Sequence, residues 1–247
     1  LPDHYDYFFK NIFTMRLIIA STSTVYGSGY LTYIENEIKD FFAGAENILF
    51  VPFARPSGIS HDEYTENASS VFSKLGYNVR GAHSFSNPAE AVSWADGFFT
   101  GGGNTFLLLK MLYETGFFGE IDVAVRGGKP YMGTSAGCNM TGLSMGTTND
   151  MPIVYPPSFK TFGWVPFNLN PHYLDPQPGN THMGETRETR IAEFHQFNPQ
   201  PVMGLREGSW LRVENGQMEL KGPHTARWFL PGKPPVELGS GLLNGLI

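Results

Sequence analysis

Residues 133–137 read Gly-Thr-Ser-Ala-Gly, a Gly-x-Ser-x-Gly pattern centred on Ser135. At a sharp turn from strand into helix, such a pattern lifts a serine hydroxyl clear of a sheet, where it can act as a nucleophile. A helix starting just after the serine turns backbone N–H groups, Ala136 first, toward charge developing on a carbonyl oxygen. A neutral serine is a weak nucleophile. It needs a base within hydrogen-bond reach and a group that orients the base. The competing reading is a Gly/Ser turn packed under a helix.

After residue 14 the histidines are His61, His83, His172, His182, His195 and His224. His61 falls at a helix start and His195 on a helix with a solvated face. His172, in Asn-Leu-Asn-Pro-His-Tyr, lies on an irregular stretch where Pro171 stiffens the approach. It is the first candidate for the base, and His83 is the second. Two carboxylates compete to orient it. Asp150 lies in Thr-Thr-Asn-Asp-Met-Pro, which is also the composition of an ordinary turn. Glu207, in Gly-Leu-Arg-Glu-Gly-Ser-Trp, ends a predicted strand, which gives its side chain a defined direction. Pattern alone does not rank the two. Residues 101–104, Gly-Gly-Gly-Asn, permit close backbone approach to a ligand, and an N–H from this loop would complete an oxyanion hole with Ala136. The loop matches neither common nucleotide-binding glycine pattern.

The elements that must position these residues alternate along the chain. Residues 16–21, 47–53, 78–83, 96–100 and 128–135 read as strands. Helices are predicted over 30–42, after the Ser60/Glu63 capping box, after Asn87-Pro88, and over 104–115. This alternation predicts an α/β fold with a mainly parallel sheet and helices on both faces. Sites in such sheets gather at the carboxyl ends of strands, where both glycine-rich stretches fall. Residues 151–182 read as functional loops, 185–197 as a helix and 201–206 as a strand. Residues 210–222 read as a C-terminal antiparallel hairpin turning at Asn215-Gly216, with 225–230 as a third antiparallel strand.

The 247 residues suffice for one α/β domain, taken as 15–247, with residues 1–14 set aside as an N-terminal extension. A hydrophobic fraction of 41% with 16% charged residues argues against disorder. The net charge of -6, without a Lys/Arg cluster, argues against a nucleic-acid partner. No apolar run reaches a membrane span. The single cysteine, Cys138, rules out an intrachain disulfide and fits a reducing compartment, so a cytoplasmic location is expected.

The ordered stretches Gly-Gly-Gly-Asn-Thr-Phe-Leu-Leu-Leu, Gly-Thr-Ser-Ala-Gly-Cys-Asn-Met, Thr-Thr-Asn-Asp-Met-Pro-Ile-Val, Asn-Pro-His-Tyr, Gly-Glu-Thr-Arg-Glu and Gly-Leu-Arg-Glu-Gly-Ser-Trp resemble peptidase E, the α-aspartyl dipeptidase family. The resemblance runs from about Met15 to the last hairpin and points to a eukaryotic member. It implies a glutamine-amidotransferase-like α/β fold, with Ser135 as nucleophile and His172 as base. The acid would be Glu207, favoured for its strand-end placement, or Asp150. Gly103 and Ala136 would supply oxyanion N–H groups. Arg187 would pair with the substrate's β-carboxylate, and Asn104 would contact substrate. The implied substrate is an Asp-X dipeptide with a free amino terminus, and the protein would be a monomer or homodimer. No metal or organic cofactor is expected. Relatives of the fold place a cysteine at the elbow itself. Here Cys138 follows three residues later and reads as a buried helix residue. Competing functions are a cyanophycinase-like β-aspartyl peptidase, a carboxypeptidase of the same clan, a non-catalytic sensor, and a nucleotide-binding protein built on 101–104.

Overall fold

The computed structural model describes residues 13–176, 179, 184–243, 245 and 246. Five short strands, largely buried and apolar except for the polar edge run 78–81, form the parallel part of the main sheet. They are β1 (Leu17–Ala20), β2 (Asn47–Val51), β3 (Asn78–Gly81), β4 (Gly97–Thr100) and β5 (Tyr131–Thr134). These strands pair in parallel in the order β1-β5-β4-β2-β3. All five carboxyl ends therefore lie along one edge.

Strand alternation divides the side chains between two cores. Leu17, Ile19, Leu49 and Val51 face one core, while Ile18, Ala20, Ile48 and Phe50 face the other. On the second side lie α1 (Glu35–Phe41) and α2 (His61–Phe72), which contribute Ile38, Phe41, Tyr64 and Phe72. On the first side lie α3 (Pro88–Trp94), α4 (Thr105–Glu114) and α5 (Phe117–Arg126), which contribute Ala91, Leu108, Leu112, Ile121 and Val125. The expected mainly parallel sheet with helices on both faces is the fold observed. Ser60 and Glu63 form the expected capping box, and the Asn87 side chain caps α3.

The hairpin β8 (Trp210–Glu214) and β9 (Gln217–Lys221) turns at Asn215-Gly216, both with positive φ. It continues the main sheet, with β8 antiparallel to β1 and β9 antiparallel to β12 (Gly241–Leu242).

Part of the chain departs from the sequence reading. Within 151–182, read as loops, residues 168–171 form β6 (Asn168–Pro171), parallel to β7 (Val202–Leu205). Residues 225–230 do not extend the hairpin. They form β10 (Ala226–Phe229), antiparallel to β7 and to β11 (Val236–Leu238), in a second sheet of order β11-β10-β7-β6. Leu169, Met203 and Leu205 bury one face of this sheet in the core of the main sheet. Ile191 of α7 (Arg187–Phe194) covers the other face, against Tyr173, Val202 and Phe229. Residues 117–126, not singled out in the sequence, form α5. The helix expected over 30–42 begins as a 3-10 turn before α1, because Leu31 takes a left-handed φ of 59°.

Of the 1–14 extension, residues 1–12 lie outside the described residues. The Thr14 hydroxyl donates to the Arg126 carbonyl, and Met15 is fully buried. Among the described residues no helix is long and apolar enough to cross a membrane.

Candidate active site

Ser135 follows β5 at φ 54° and ψ −108° and opens the short helix α6 (Ala136–Asn139). Few non-glycine residues hold such a backbone, and its cost is met by the surroundings. The Ser135 N–H donates to the Ala20 carbonyl at the end of β1, 3.1 Å away. The small residues around the serine have a steric cause. A Cβ on Gly133 would lie 2.3 Å from the Gly137 carbonyl oxygen, and one on Gly137 would lie 2.4 Å from that of Thr100. The elbow closes only because both positions lack side chains.

The glycine loop after β4 runs against the same serine. A Cβ on Gly102 would lie 2.9 Å from the Ser135 Cβ. Gly103, at φ 139°, packs on the Ala54 carbonyl, which a Cβ would meet at 2.3 Å. The N–H groups of Gly103 and Ala136 have no hydrogen-bond acceptor among the described residues. Both are left free to donate to a ligand.

The second sheet delivers the other two groups. β6 and β7 are parallel, with Pro171 opposite Leu205. His172 leaves the end of β6 and Glu207 the end of β7, so their side chains arise at one rim. His172 Nε2 lies 2.9 Å from Ser135 Oγ, and His172 Nδ1 lies 2.6 Å from Glu207 Oε1. An ionised carboxylate only accepts, so Nδ1 carries the proton and Nε2 is left to accept from the serine hydroxyl. Both side chains remain open to water, at 37% and 47% exposure.

Arg206 reinforces the pairing from the next position. Its guanidinium holds Asp175 in two bonds, 2.8 and 2.7 Å, and also binds Glu237, tying the segment after His172 to the turn that carries Glu207. These bonds hold the Asp175 carboxyl below its usual range and the Glu237 carboxyl down at about 2.

Asp150 is engaged elsewhere. Its carboxylate accepts from the Thr105 N–H at 2.7 Å and from the Thr148 hydroxyl at 3.2 Å, at the amino terminus of α4, where negative charge is favoured. Asn104 caps the same helix. Its Oδ1 accepts from the Leu107 N–H and its Nδ2 donates to the Met151 carbonyl. Asp150 and Asn104 thus brace the glycine loop from behind. Ser21 and Asn149, which no motif singled out, also reach His172's neighbourhood. Ser21 Oγ accepts from the His172 N–H, and Asn149 Nδ2 donates to the Pro171 carbonyl. The available signal was position: Ser21 directly follows a buried strand, and Asn149 precedes Asp150.

A family model described as Peptidase family S51 matches residues 17–221. The chain belongs to peptidase family S51. The chain is 50% identical over 227 residues to "Peptidase E" of Streptomyces coelicolor, covering 92% of each. It is 43% identical over 217 residues to "Probable alpha-aspartyl dipeptidase" of Drosophila melanogaster, covering 87% of this chain and 89% of that one. Among solved structures, a peptidase from an acI-B1 Actinobacterium superposes with a TM-score of 0.67 at 16% identity, covering 93% and 96% of the two chains. At that identity the likeness speaks to fold alone.

The other predicted positions in this S51 peptidase fall as follows. Arg187 begins α7 behind the Thr186 cap. Burial and the nearby Arg190 lower its pKa, and it has no acidic partner among the described residues. The next residue, Glu188, accepts from the Tyr173 hydroxyl, one position beyond His172. His83 pairs with Asp62 at 2.8 Å and, with Phe53 and His61, lines a cavity of ≈ 370 Å³ rather than meeting Ser135. His195 Nε2 lies 3.0 Å from the Gln200 carbonyl. His182 lies outside the described residues. Cys138 is fully buried in α6, and burial pushes its thiol far above the ordinary range.

Proposed function

We propose that this S51 peptidase is a serine dipeptidase that hydrolyses Asp-X dipeptides with a free amino terminus, through an acyl-enzyme on Ser135. The observation that carries the reading is the relay from Glu207 Oε1 through His172 to Ser135 Oγ, at 2.6 and 2.9 Å. His172 Nε2 takes the hydroxyl proton as Ser135 Oγ bonds to the scissile carbonyl carbon. The carbonyl oxygen becomes an oxyanion that accepts from the Gly103 and Ala136 N–H groups. His172 then gives its proton to the departing amine as the C–N bond breaks, leaving an aspartyl ester on Ser135. Water gives a proton to His172 as it bonds to the ester carbon, and His172 returns that proton to Ser135 Oγ as the ester C–O bond breaks and aspartate leaves. Glu207 keeps the imidazole in the required tautomer and balances its positive charge in both halves.

Arg187 is the residue proposed to hold the substrate's β-carboxylate. A half-buried guanidinium without an anion beside it among the described residues suits a bidentate carboxylate. The relatives named above support the substrate class. The test is hydrolysis of Asp-Leu beside Glu-Leu, Leu-Leu, β-linked Asp-Leu and N-acetyl-Asp-Leu. Cleavage confined to free-amine α-linked Asp-Leu is expected. Preferential cleavage of the β-linked or blocked peptide would move the protein to a related serine hydrolase. Cleavage of none would revive a non-catalytic sensor.

A further inference from the structure

We propose that Ser21 and Asn149 are positioning residues that clamp the peptide group between Pro171 and His172 and so aim the imidazole at Ser135. The proposal deepens the serine-nucleophile reading and rests on it. The Pro171 carbonyl accepts from Asn149 Nδ2 at 2.8 Å, and the His172 N–H donates to Ser21 Oγ at 2.9 Å. These two groups are opposite edges of one planar unit. Two bonds from different elements therefore fix its position and its tilt.

The clamp sits where local backbone preference gives no help. His172 has φ 53°, in the left-handed region that side-chain-bearing residues avoid. β6 is the edge strand of its sheet and ends at Pro171; beyond it one main-chain bond, from the Tyr173 N–H to the Leu205 carbonyl at 3.2 Å, continues toward β7, and the His172 N–H itself is left to Ser21. Surroundings must hold such a residue, and strain of this kind collects at functional sites.

Both clamp groups are themselves fixed. Ser21 is fully buried, and its single hydroxyl proton goes to the Leu205 carbonyl at 2.7 Å, which leaves its oxygen to accept from His172. The Ser21 N–H donates to the Ser209 carbonyl. One residue at the end of β1 thus gauges the ends of β6 and β7 and the turn that bears Glu207. Asn149 Oδ1 accepts from Asn170 Nδ2, which also donates to the Thr147 carbonyl. Because Asp150 adjoins Asn149 and holds the Thr105 N–H, the segment 147–150 links the base to the helix behind the glycine loop. If the bonds served only to satisfy buried polar groups, their loss would lower stability without altering the reactivity of Ser135.

The test uses Ser21→Ala and Asn149→Ala in the full chain. Five quantities are measured: labelling rate of Ser135 by a fluorophosphonate, kcat and KM on Asp-Leu, the thermal midpoint, and the low-field proton resonance of His172 Nδ1–H. Each variant is expected to lose about 10- to 100-fold in labelling rate and kcat, with KM within about twofold. The low-field resonance should shift or broaden. Asn149→Asp, which keeps the shape but lacks the donor, should behave like Asn149→Ala. Folded variants that label and turn over within about twofold of wild type overturn the clamp. So does a lowered thermal midpoint with unchanged labelling and resonance. If Ser21→Ala does not fold, the half-exposed Asn149 decides alone. A wild type that labels but leaves Asp-Leu intact removes the substrate reading, and the labelling arm still decides the clamp. A wild type that takes no label removes the nucleophile and the clamp's purpose together.

Discussion

Ser135 and His172 face each other across a 2.9 Å hydrogen bond, and both hold left-handed backbone, at φ 54° and 53°. They come from different sheets. Ser135 directly follows a strand of the main sheet and His172 directly follows the edge strand of the second. The site is therefore a product of how the two sheets dock, and its sensitivity to substitution follows from that.

Glu207, the proposed acid, is separable from Asp150 by mutation. Glu207→Gln should lower kcat/KM on Asp-Leu by about 10²- to 10⁴-fold, because a neutral amide no longer balances the imidazolium and its NH2 can donate to Nδ1, favouring the wrong tautomer. Asp150→Ala removes an acceptor from the Thr105 N–H. It should cost about 1 kcal/mol of stability, or about 2–4 °C in thermal midpoint for a chain of this size, with a smaller loss of activity. Steady-state kinetics and thermal melts of both variants check the contrast. A larger kinetic loss for Asp150→Ala than for Glu207→Gln would reverse the assignment.

Arg187→Lys keeps the charge and loses the fork. It should lower kcat/KM on Asp-Leu about 10- to 100-fold, with a thermal midpoint close to wild type. Unchanged kinetics would place the β-carboxylate elsewhere.

Gly102→Ala puts a methyl group 2.9 Å from the Ser135 Cβ, so it should cut kcat sharply. Fluorophosphonate labelling of the folded variant should fall in parallel, since the displaced atom is on the serine itself. Full labelling would show that the loop yields.

The Arg206 cluster makes an acid-sensitive contribution to stability. The folded-state pKa of Glu237 is depressed to about 2, chiefly by its hydrogen bonds to Arg206. Its contribution is therefore complete above the unfolded carboxyl's value, near 4.5, and is lost as pH falls through about 2. Glu237→Gln should be less stable than wild type at neutral pH, and the gap should close over that window. The carboxylate is partly exposed, so solvent screening keeps the gap small. Urea midpoints against pH measure it.

Where sequence and structure agree, the signals are local. The elbow serine is flanked by glycines and follows an apolar run, and Ser60, Glu63, Asn87 and Pro88 are short-range caps. Where they differ, long-range pairing decides. β6 reads Asn-Leu-Asn-Pro, too polar for a buried strand. Asn168 and Asn170 are nevertheless buried, because their side chains bond the Ser144 N–H and the Thr147 carbonyl. β10 looks like a third hairpin strand until Arg227 is found opposite Gly204, across a different sheet. The meeting of Glu207 with His172 depends on that second sheet, so the residues alone left Asp150 level with it. α5 carried its signal, Phe117, Ile121 and Val125 at helical spacing, but in a stretch interrupted by Gly119.

The most direct test of Ser135 as nucleophile is the turnover of Asp-Leu by Ser135→Ala beside wild type, with circular dichroism to establish that the variant is folded. A loss of about 10³-fold or more in kcat, with the fold intact, is the expected result. A folded Ser135→Ala that hydrolyses Asp-Leu at the wild-type rate would contradict it, and His172 and Glu207 would then need a different partner.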